Sequence, residues 1–357
     1  MTPRPGSLSI WLTLFFIIAL SGQFLSTLRG ADCNGNSIDD LDDLSSAFSE
    51  DCNANDIPDE CEGPLLTFES SLTLTHSGAT QDATVADFNG DGLPDLATGF
   101  RGGLSLRLSS LGQEFADYDE VQFGFDGPSR RPWEAGDVDG DDDIDLVTRD
   151  FERVLVYLND GNGGFSEAVL GPEVGRMDAV VVSDLNGDDL ADVVGAMSND
   201  DRLLVFLSIG DGQLSQPEEY AVGDNLAQVV VGNADGVNGA DLFVLNRAAA
   251  TVSILTNDGE GGFSVGAPIV VADQLSNTFA VADIDADGLD DFVVGTATGV
   301  FVYYNAGGGT FADGSPLVTD SQFVRTLTTG DADADGDVDV IVLFNVPVDD
   351  FQVFVNT

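Results

Sequence analysis

Six copies of one nine-residue acidic motif recur at intervals of 47 to 50 residues, and that period limits the possible folds more than any other feature of the chain. The copies read Asp87-Phe-Asn89-Gly-Asp91-Gly-Leu-Pro-Asp95, Asp137-Val-Asp139-Gly-Asp141-Asp-Asp-Ile-Asp145, Asp184-Leu-Asn186-Gly-Asp188-Asp-Leu-Ala-Asp192, Asn233-Ala-Asp235-Gly-Val237-Asn-Gly-Ala-Asp241, Asp283-Ile-Asp285-Ala-Asp287-Gly-Leu-Asp-Asp291 and Asp331-Ala-Asp333-Ala-Asp335-Gly-Asp-Val-Asp339. A repeat of this length is one supersecondary unit that cannot bury its apolar face alone and must stack on its neighbours. Each unit follows the same order. An apolar run such as Val180-Val-Val-Ser183 precedes the motif, and a second such as Asp291-Phe-Val-Val-Gly295 follows it. A third run alternates, as in Val154-Leu-Val-Tyr-Leu158, and a glycine-rich turn such as Asn257-Asp-Gly-Glu-Gly-Gly-Phe263 leads to a fourth, more polar run.

Four short strands per unit of roughly 40 to 50 residues, punctuated by Gly and Asp turns, predict an all-β, six-bladed β-propeller of four-stranded blades. It is expected to span residues 64–357, with the two most apolar strands of each blade nearest the axis. The last unit stops at Phe351-Gln-Val-Phe-Val-Asn356-Thr357, a third-strand position, while Leu66-Thr-Phe68-Glu-Ser-Ser-Leu72-Thr-Leu74 has the character of a fourth strand. The N-terminal segment is therefore expected to complete the last blade and close the ring, leaving no terminal blade edge unpaired.

Asp and Glu total 63 against 12 Lys and Arg, a formal net charge of -51, yet 43% of residues are hydrophobic. That apolar content, arranged in short runs, supports a folded core rather than disorder. Scattered basic residues exclude a phosphate-tracking nucleic-acid surface, and cations are the expected partners. Residues 1–31 combine Arg4 with an apolar run from Leu8 to Leu20 that continues uncharged to Leu28, which reads as a signal peptide or an uncleaved N-terminal anchor. Either predicts export, to an extracellular, periplasmic or cell-surface location.

The motif has the spacing of an oxygen-ligand loop. Positions 1, 3, 5 and 9, with a backbone carbonyl at 7, supply most of the six to eight oxygens that Ca2+ accepts, whereas zinc would call for His or Cys. The predicted calcium ligands are Asp87, Asn89, Asp91 and Asp95; Asp137, Asp139, Asp141 and Asp145; Asp184, Asn186, Asp188 and Asp192; Asp283, Asp285, Asp287 and Asp291; and Asp331, Asp333, Asp335 and Asp339. Position 6 must turn through a left-handed conformation, and it holds Gly92, Asp142, Asp189, Asn238, Gly288 and Gly336, all residue types that tolerate it. The fourth loop is weaker, with Asn233 at position 1 and Val237 at position 5.

Residues 32–63 repeat the oxygen spacing twice, as Asp32-Cys-Asn34-Gly-Asn36-Ser-Ile-Asp-Asp40 and Asp51-Cys-Asn53-Ala-Asn55-Asp-Ile-Pro-Asp59. Asp32, Asn34, Asn36, Asp40, Asp51, Asn53, Asn55 and Asp59 are further calcium-ligand candidates. Cys33, Cys52 and Cys61 allow at most one bridge within a monomer, Cys33 to Cys52 or Cys52 to Cys61.

The blade script and its loops resemble the FG-GAP or VCBS repeats of integrin α-subunit heads and of secreted bacterial proteins and lectins. The Asp-Cys-Asn copies resemble, more distantly, thrombospondin type 3 repeats. Integrin heads have seven blades, whereas the uniform spacing here leaves no room for the ~45 residues of a seventh. The resemblance implies a calcium-loaded scaffold for protein or glycan recognition.

Catalysis is not expected. His76 is the single histidine and has no acid or nucleophile in a recognisable pattern, and no nucleophile elbow, zinc-protease helix or phosphate loop is present. Trp133 is the one tryptophan beyond the N-terminal apolar run, which weakens a stacking-type sugar site. Arg101, Arg130, Arg131, Arg149, Arg153, Arg202, Arg247 and Arg325 either gather on one face to receive a carboxylate or sulfated glycan, or pair with neighbouring acids. The expected function is a secreted, calcium-binding, non-enzymatic binding or adhesion module for an extracellular protein or glycan. A carbohydrate-binding lectin is the first alternative and a polysaccharide-degrading enzyme the second.

Overall fold

The computed structural model describes residues 80–100, 103–109, 133–150, 152–166, 169–237, 239–271, 275–318, 324–332, 335–344 and 350–356. The N-terminal apolar run, the Cys-containing segment with its eight candidate ligands, His76 and the expected closing strand lie outside the described residues, as do Arg101, Arg130 and Arg131.

All described elements are strands, and they form six antiparallel sheets in chain order. The first holds β1 (Thr80–Ala86), β2 (Asp95–Phe100) and β3 (Gly103–Arg107). The second holds β4 (Glu134–Gly136), β5 (Asp145–Arg149), β6 (Val154–Tyr157) and β7 (Val169–Leu170). The third holds β8 (Ala179–Ser183), β9 (Asp192–Met197), β10 (Arg202–Phe206) and β11 (Glu218–Ala221). The fourth holds β12 (Leu226–Gly232), β13 (Asp241–Asn246), β14 (Thr251–Asn257) and an outer strand split into β15 (Phe263–Val265) and β16 (Ile269–Val270), both paired with β14. The fifth holds β17 (Leu275–Ala282), β18 (Asp291–Thr296), β19 (Gly299–Tyr303) and β20 (Ser315–Val318). The sixth holds β21 (Val324–Gly330), β22 (Asp339–Phe344) and β23 (Asp350–Phe354). This is the expected six-bladed propeller.

Successive first strands touch one another, β1 to β4 to β8 to β12 to β17 to β21, which places them innermost. The core is not one mass but a series of layers between facing blades. Val147, Val156, Val180 and Phe206 fill the layer between the second and third blades, and Phe243, Ile254, Phe279 and Phe292 the layer between the fourth and fifth. The expectation that the most apolar strands lie nearest the axis needs correction. The second strands β9, β13 and β18 are buried at every residue, while the innermost β12 and β21 are buried only at their first and fourth positions. A second strand is covered on both faces by neighbouring blades, so its sequence is continuously apolar; an innermost strand presents one face to the axis.

One register recurs in all six blades. The residue before each acidic motif pairs with its ninth residue: Ala86 with Asp95, Gly136 with Asp145, Ser183 with Asp192, Gly232 with Asp241, Ala282 with Asp291 and Gly330 with Asp339. Every motif is thus the hairpin between a first and a second strand. The antiparallel order puts all six motifs and the turns after the third strands at one end of the propeller.

Candidate metal centre

Each loop is built from its buried ends outward. Position 2 drops an apolar side chain into the core, with Phe88, Val138 and Ala234 fully buried and Leu185 nearly so. Position 9 begins the second strand, and Asp95, Asp145, Asp192, Asp241, Asp291 and Asp339 are all fully buried. Such carboxylates need partners; each has two, and Asp241 a third in the Asp235 N–H at 3.1 Å. One oxygen accepts the position-2 N–H, from Phe88, Val138, Leu185, Ala234, Ile284 and Ala332, at 2.7 to 3.0 Å. The other accepts an N–H at or just past the end of the third strand, from Ser109, Asn159, Ser208, Asn257, Asn305 and Asn356, at 2.7 to 2.8 Å. The ninth residue therefore straps two hairpins of its blade together, and outside the fourth loop, where Asp241 Oδ2 accepts two N–H groups, each of its oxygens keeps a lone pair for a cation. Burial pushes the carboxyls of Asp145, Asp192 and Asp291 up to about 6, against the lowering effect of their two N–H donors.

The exposed rim of the loop is equally regular. The position-1 carboxylate accepts the position-6 N–H in five loops, Asp87 from Gly92 at 2.7 Å, Asp137 from Asp142 and Asp184 from Asp189 at 3.0 Å, Asp283 from Gly288 at 2.9 Å and Asp331 from Gly336 at 3.1 Å. Position 6 is left-handed wherever it is described, including the non-glycine residues Asp142 (φ 69) and Asp189 (φ 67). Position 4 is left-handed as well, which the sequence reading missed: Gly90, Gly140, Gly187 and Gly236 share it with Ala286, whose φ is 59. Glycine predominates there because a side chain is strained in that conformation.

Among the described residues, oxygens of three of the four predicted carboxylates converge in loop two and of three of the four in loop five. Those of Asp137, Asp139 and Asp145 lie within 4.8 Å of one another, as do those of Asp283, Asp285 and Asp287. Asp139 Oδ1 is buried and accepts no hydrogen bond among the described residues, and burial followed by the neighbouring Asp141 raises the pKa of this carboxyl. A buried, donor-free oxygen on a carboxylate that sits among others suits a hard cation. Loops one and three place Asn89 and Asn186 at position 3, with amide nitrogens on Asp91 and Asp188 at 3.3 and 3.0 Å. In loop six, Asp333 lies outside the described residues.

The fourth loop differs as expected. Val237 is 55% exposed and offers no oxygen. Asp290 of the fifth loop accepts the Asn233 N–H at 2.6 Å and returns its own N–H to the Asn233 carbonyl at 2.7 Å, as Ala191 does to Asp137 at 2.6 Å.

A second device between blades went unread in the sequence. Asn159, Asn257 and Asn305 each donate both amide hydrogens, one to the carbonyl before their own blade's ninth residue and one to the position-2 carbonyl of the preceding blade. Asn356 makes the same reach to Ile284 at 2.6 Å. The signal was present as the Asn that opens the glycine-rich turns at Asn159, Asn257 and Asn305.

Of the candidate arginines, Arg149, Arg153, Arg202, Arg247 and Arg325 lie toward the other end, at the turns between second and third strands or the entries to first strands, whereas Arg107 ends β3 at the motif end. Arginines pair with acids at that other end: Arg153 with Asp150, Glu152 and Glu173, Arg202 with Asp200 and Glu219, and Arg176 with Asp178. Trp133 is 3% exposed and packs against Tyr157 and Gly99, so it belongs to the core.

The architecture and loops define a six-bladed β-propeller with an acidic, cation-type hairpin in its blades. The chain carries FG-GAP repeats: the FG-GAP-like repeat profile matches residues 137–195 and 283–342, and the FG-GAP repeat profile matches 79–107. No curated protein sequence matches the chain significantly. Among solved structures, it is similar to an Agrocybe aegerita lectin described as recognising non-reducing terminal N-acetylglucosamine, at 22% identity and a TM-score of 0.59, covering 77% of this chain and 80% of that one. It is also similar to BBS1N, solved in complex with ARL6DN, at 13% identity and a TM-score of 0.53, covering 75% and 77%. At these identities the likeness concerns the fold.

Proposed function

We propose that the protein is an exported, calcium-loaded propeller that serves as a non-enzymatic binding module for an extracellular glycan or protein. The observations that carry the calcium reading are the convergence of the Asp137, Asp139 and Asp145 carboxylates and, on Asp139, a buried Oδ1 that accepts no hydrogen bond among the described residues. Calcium would be held by positions 1, 3, 5 and 9 of loops one, two, three, five and six, neutralising carboxylates that otherwise repel one another. The apolar N-terminal run supports export, where calcium is abundant enough for exposed loops of this kind. That a lectin shares the architecture makes glycans the first ligand class to test.

Equilibrium dialysis against calcium is expected to show saturable binding, with Asp139→Asn losing one site and Val237→Ala losing none. Chelation should lower the melting temperature and expose the chain to protease. Absence of bound calcium together with unchanged melting would refute the calcium reading. A glycan array probed with and without calcium tests the ligand class, and product release from polysaccharides would overturn the non-enzymatic assignment.

A further inference from the structure

Two loops contain the same tripeptide, Asn89-Gly90-Asp91 and Asn186-Gly187-Asp188, yet the structure treats them differently. In both, the Asn Oδ1 accepts the N–H two residues on, at 3.0 Å in Asp91 and 3.1 Å in Asp188, so the side chain folds forward over the intervening glycine peptide. In loop three the Gly187 N–H is engaged, donating to Asp184 Oδ1 at 2.7 Å. In loop one that carboxylate oxygen of position 1 takes the Asp91 N–H instead, at 3.1 Å, and Gly90 N–H donates to no described residue. Both glycines are exposed and left-handed, Gly90 at φ 70 and Gly187 at φ 75, so neither exposure nor backbone conformation separates them. A third pair, Asn162-Gly163, has its amide turned backward onto the Asp160 carbonyl at 3.0 Å, away from the glycine nitrogen.

We propose that Asn89-Gly90 is a spontaneous modification site at which the loop deamidates itself. The Gly90 amide nitrogen gives up its proton and attacks Asn89 Cγ, a C–N bond forms, and the side-chain nitrogen leaves as ammonia, producing a five-membered imide. Water then opens the imide at either carbonyl, giving an aspartyl or an isoaspartyl residue. Glycine at the following position lets the backbone approach Cγ without a Cβ in the way. The free Gly90 N–H makes this nitrogen available, whereas the Gly187 nitrogen must first break its bond to Asp184. The aspartyl product gives loop one carboxylates at positions 1, 3, 5 and 9, the set already present in loops two, five and six. The isoaspartyl product lengthens the backbone by one atom and takes the carboxylate out of register. The gain in calcium affinity rests on the calcium reading above; the deamidation chemistry does not.

The test is peptide mapping by mass spectrometry of the full chain, held folded and calcium-free in mildly alkaline buffer. Amide-to-acid conversion is expected several-fold faster at Asn89 than at Asn186, and the two rates should converge in denaturing urea, where only the shared tripeptide counts. Equal native rates, or faster loss of Asn186, would overturn the proposal. Asn89→Asp should bind calcium at loop one more tightly than the fresh protein. If neither binds calcium, the calcium reading fails while the native rate difference still decides the modification site.

Discussion

Replacing Asn257 by alanine should weaken the seam between the third and fourth blades and, through it, the whole propeller. Its side chain is 3% exposed and makes three hydrogen bonds: Nδ2 donates to the Leu185 carbonyl at 2.7 Å and the Ala240 carbonyl at 2.9 Å, and Oδ1 accepts the Gly259 N–H at 2.8 Å. A neutral hydrogen bond contributes about 1 kcal/mol net, and a buried group stranded without a partner costs about 1 to 3 kcal/mol. Three lost bonds, with the Leu185 carbonyl left dry between blades, give an expected destabilisation of about 3 to 5 kcal/mol. Ser208 occupies the same position one blade earlier, but its hydroxyl donates only within its own blade, to Ala191 at 2.6 Å. Ser208→Ala is therefore expected to cost about 1 kcal/mol. Urea unfolding of both variants, with and without calcium, measures the difference. If Asn257→Ala costs no more than Ser208→Ala, the bond between blades is not what holds the seam and the reasoning fails.

Two further outcomes concern the loops. Ala286→Gly relieves a left-handed alanine that costs about 1 to 2 kcal/mol, partly offset by the greater freedom of glycine in the unfolded chain, so chelated protein should gain about 0.5 to 1 kcal/mol in urea unfolding. A loss would mean that the loop is not strained at this residue. The second concerns pH. Asp145, Asp192 and Asp291 are raised from 3.8 to about 6 in the folded state, so the folded chain binds more protons than the unfolded chain between those values. Their contribution is full below about 4 and is lost as pH rises through about 6. Thermal melts of chelated protein should therefore rise on acidification from pH 7 to about 5, whereas calcium-loaded protein should not gain, because protons displace the cation. A chelated protein that instead loses stability over that interval would contradict the burial of these carboxylates.

The acidic loops were legible in the sequence because their chemistry is local. Position 6 must be left-handed whatever surrounds it, and Gly92, Asp142 and Asp189 announce that requirement by residue type alone. The alternating runs and constant spacing likewise determined six antiparallel hairpin units, since a period of this length has few ways to bury its apolar faces. The defect of the fourth loop was visible at Val237 for the same reason.

Contacts that join one blade to the next were not legible in this way. Asn305 reaches the carbonyl of Ala234 and Asn356 that of Ile284, partners that come together only when neighbouring blades pack. Nor could residue type reveal that Asp145 straps Val138 to Asn159 while also facing Asp139, because a carboxylate in a ligand pattern and one in a hydrogen-bond pattern look alike until their donors are placed. The same is true of Gly90 and Gly187, which share a tripeptide and differ only in which N–H the first aspartate has captured. The sequence by itself determined the blade, its turns and its cation-type loop, because strand period and left-handed glycines act over a few residues. Only the tertiary structure decided which polar groups cross between blades and which strands are buried on both faces, because those depend on atoms some seventy residues away in the chain.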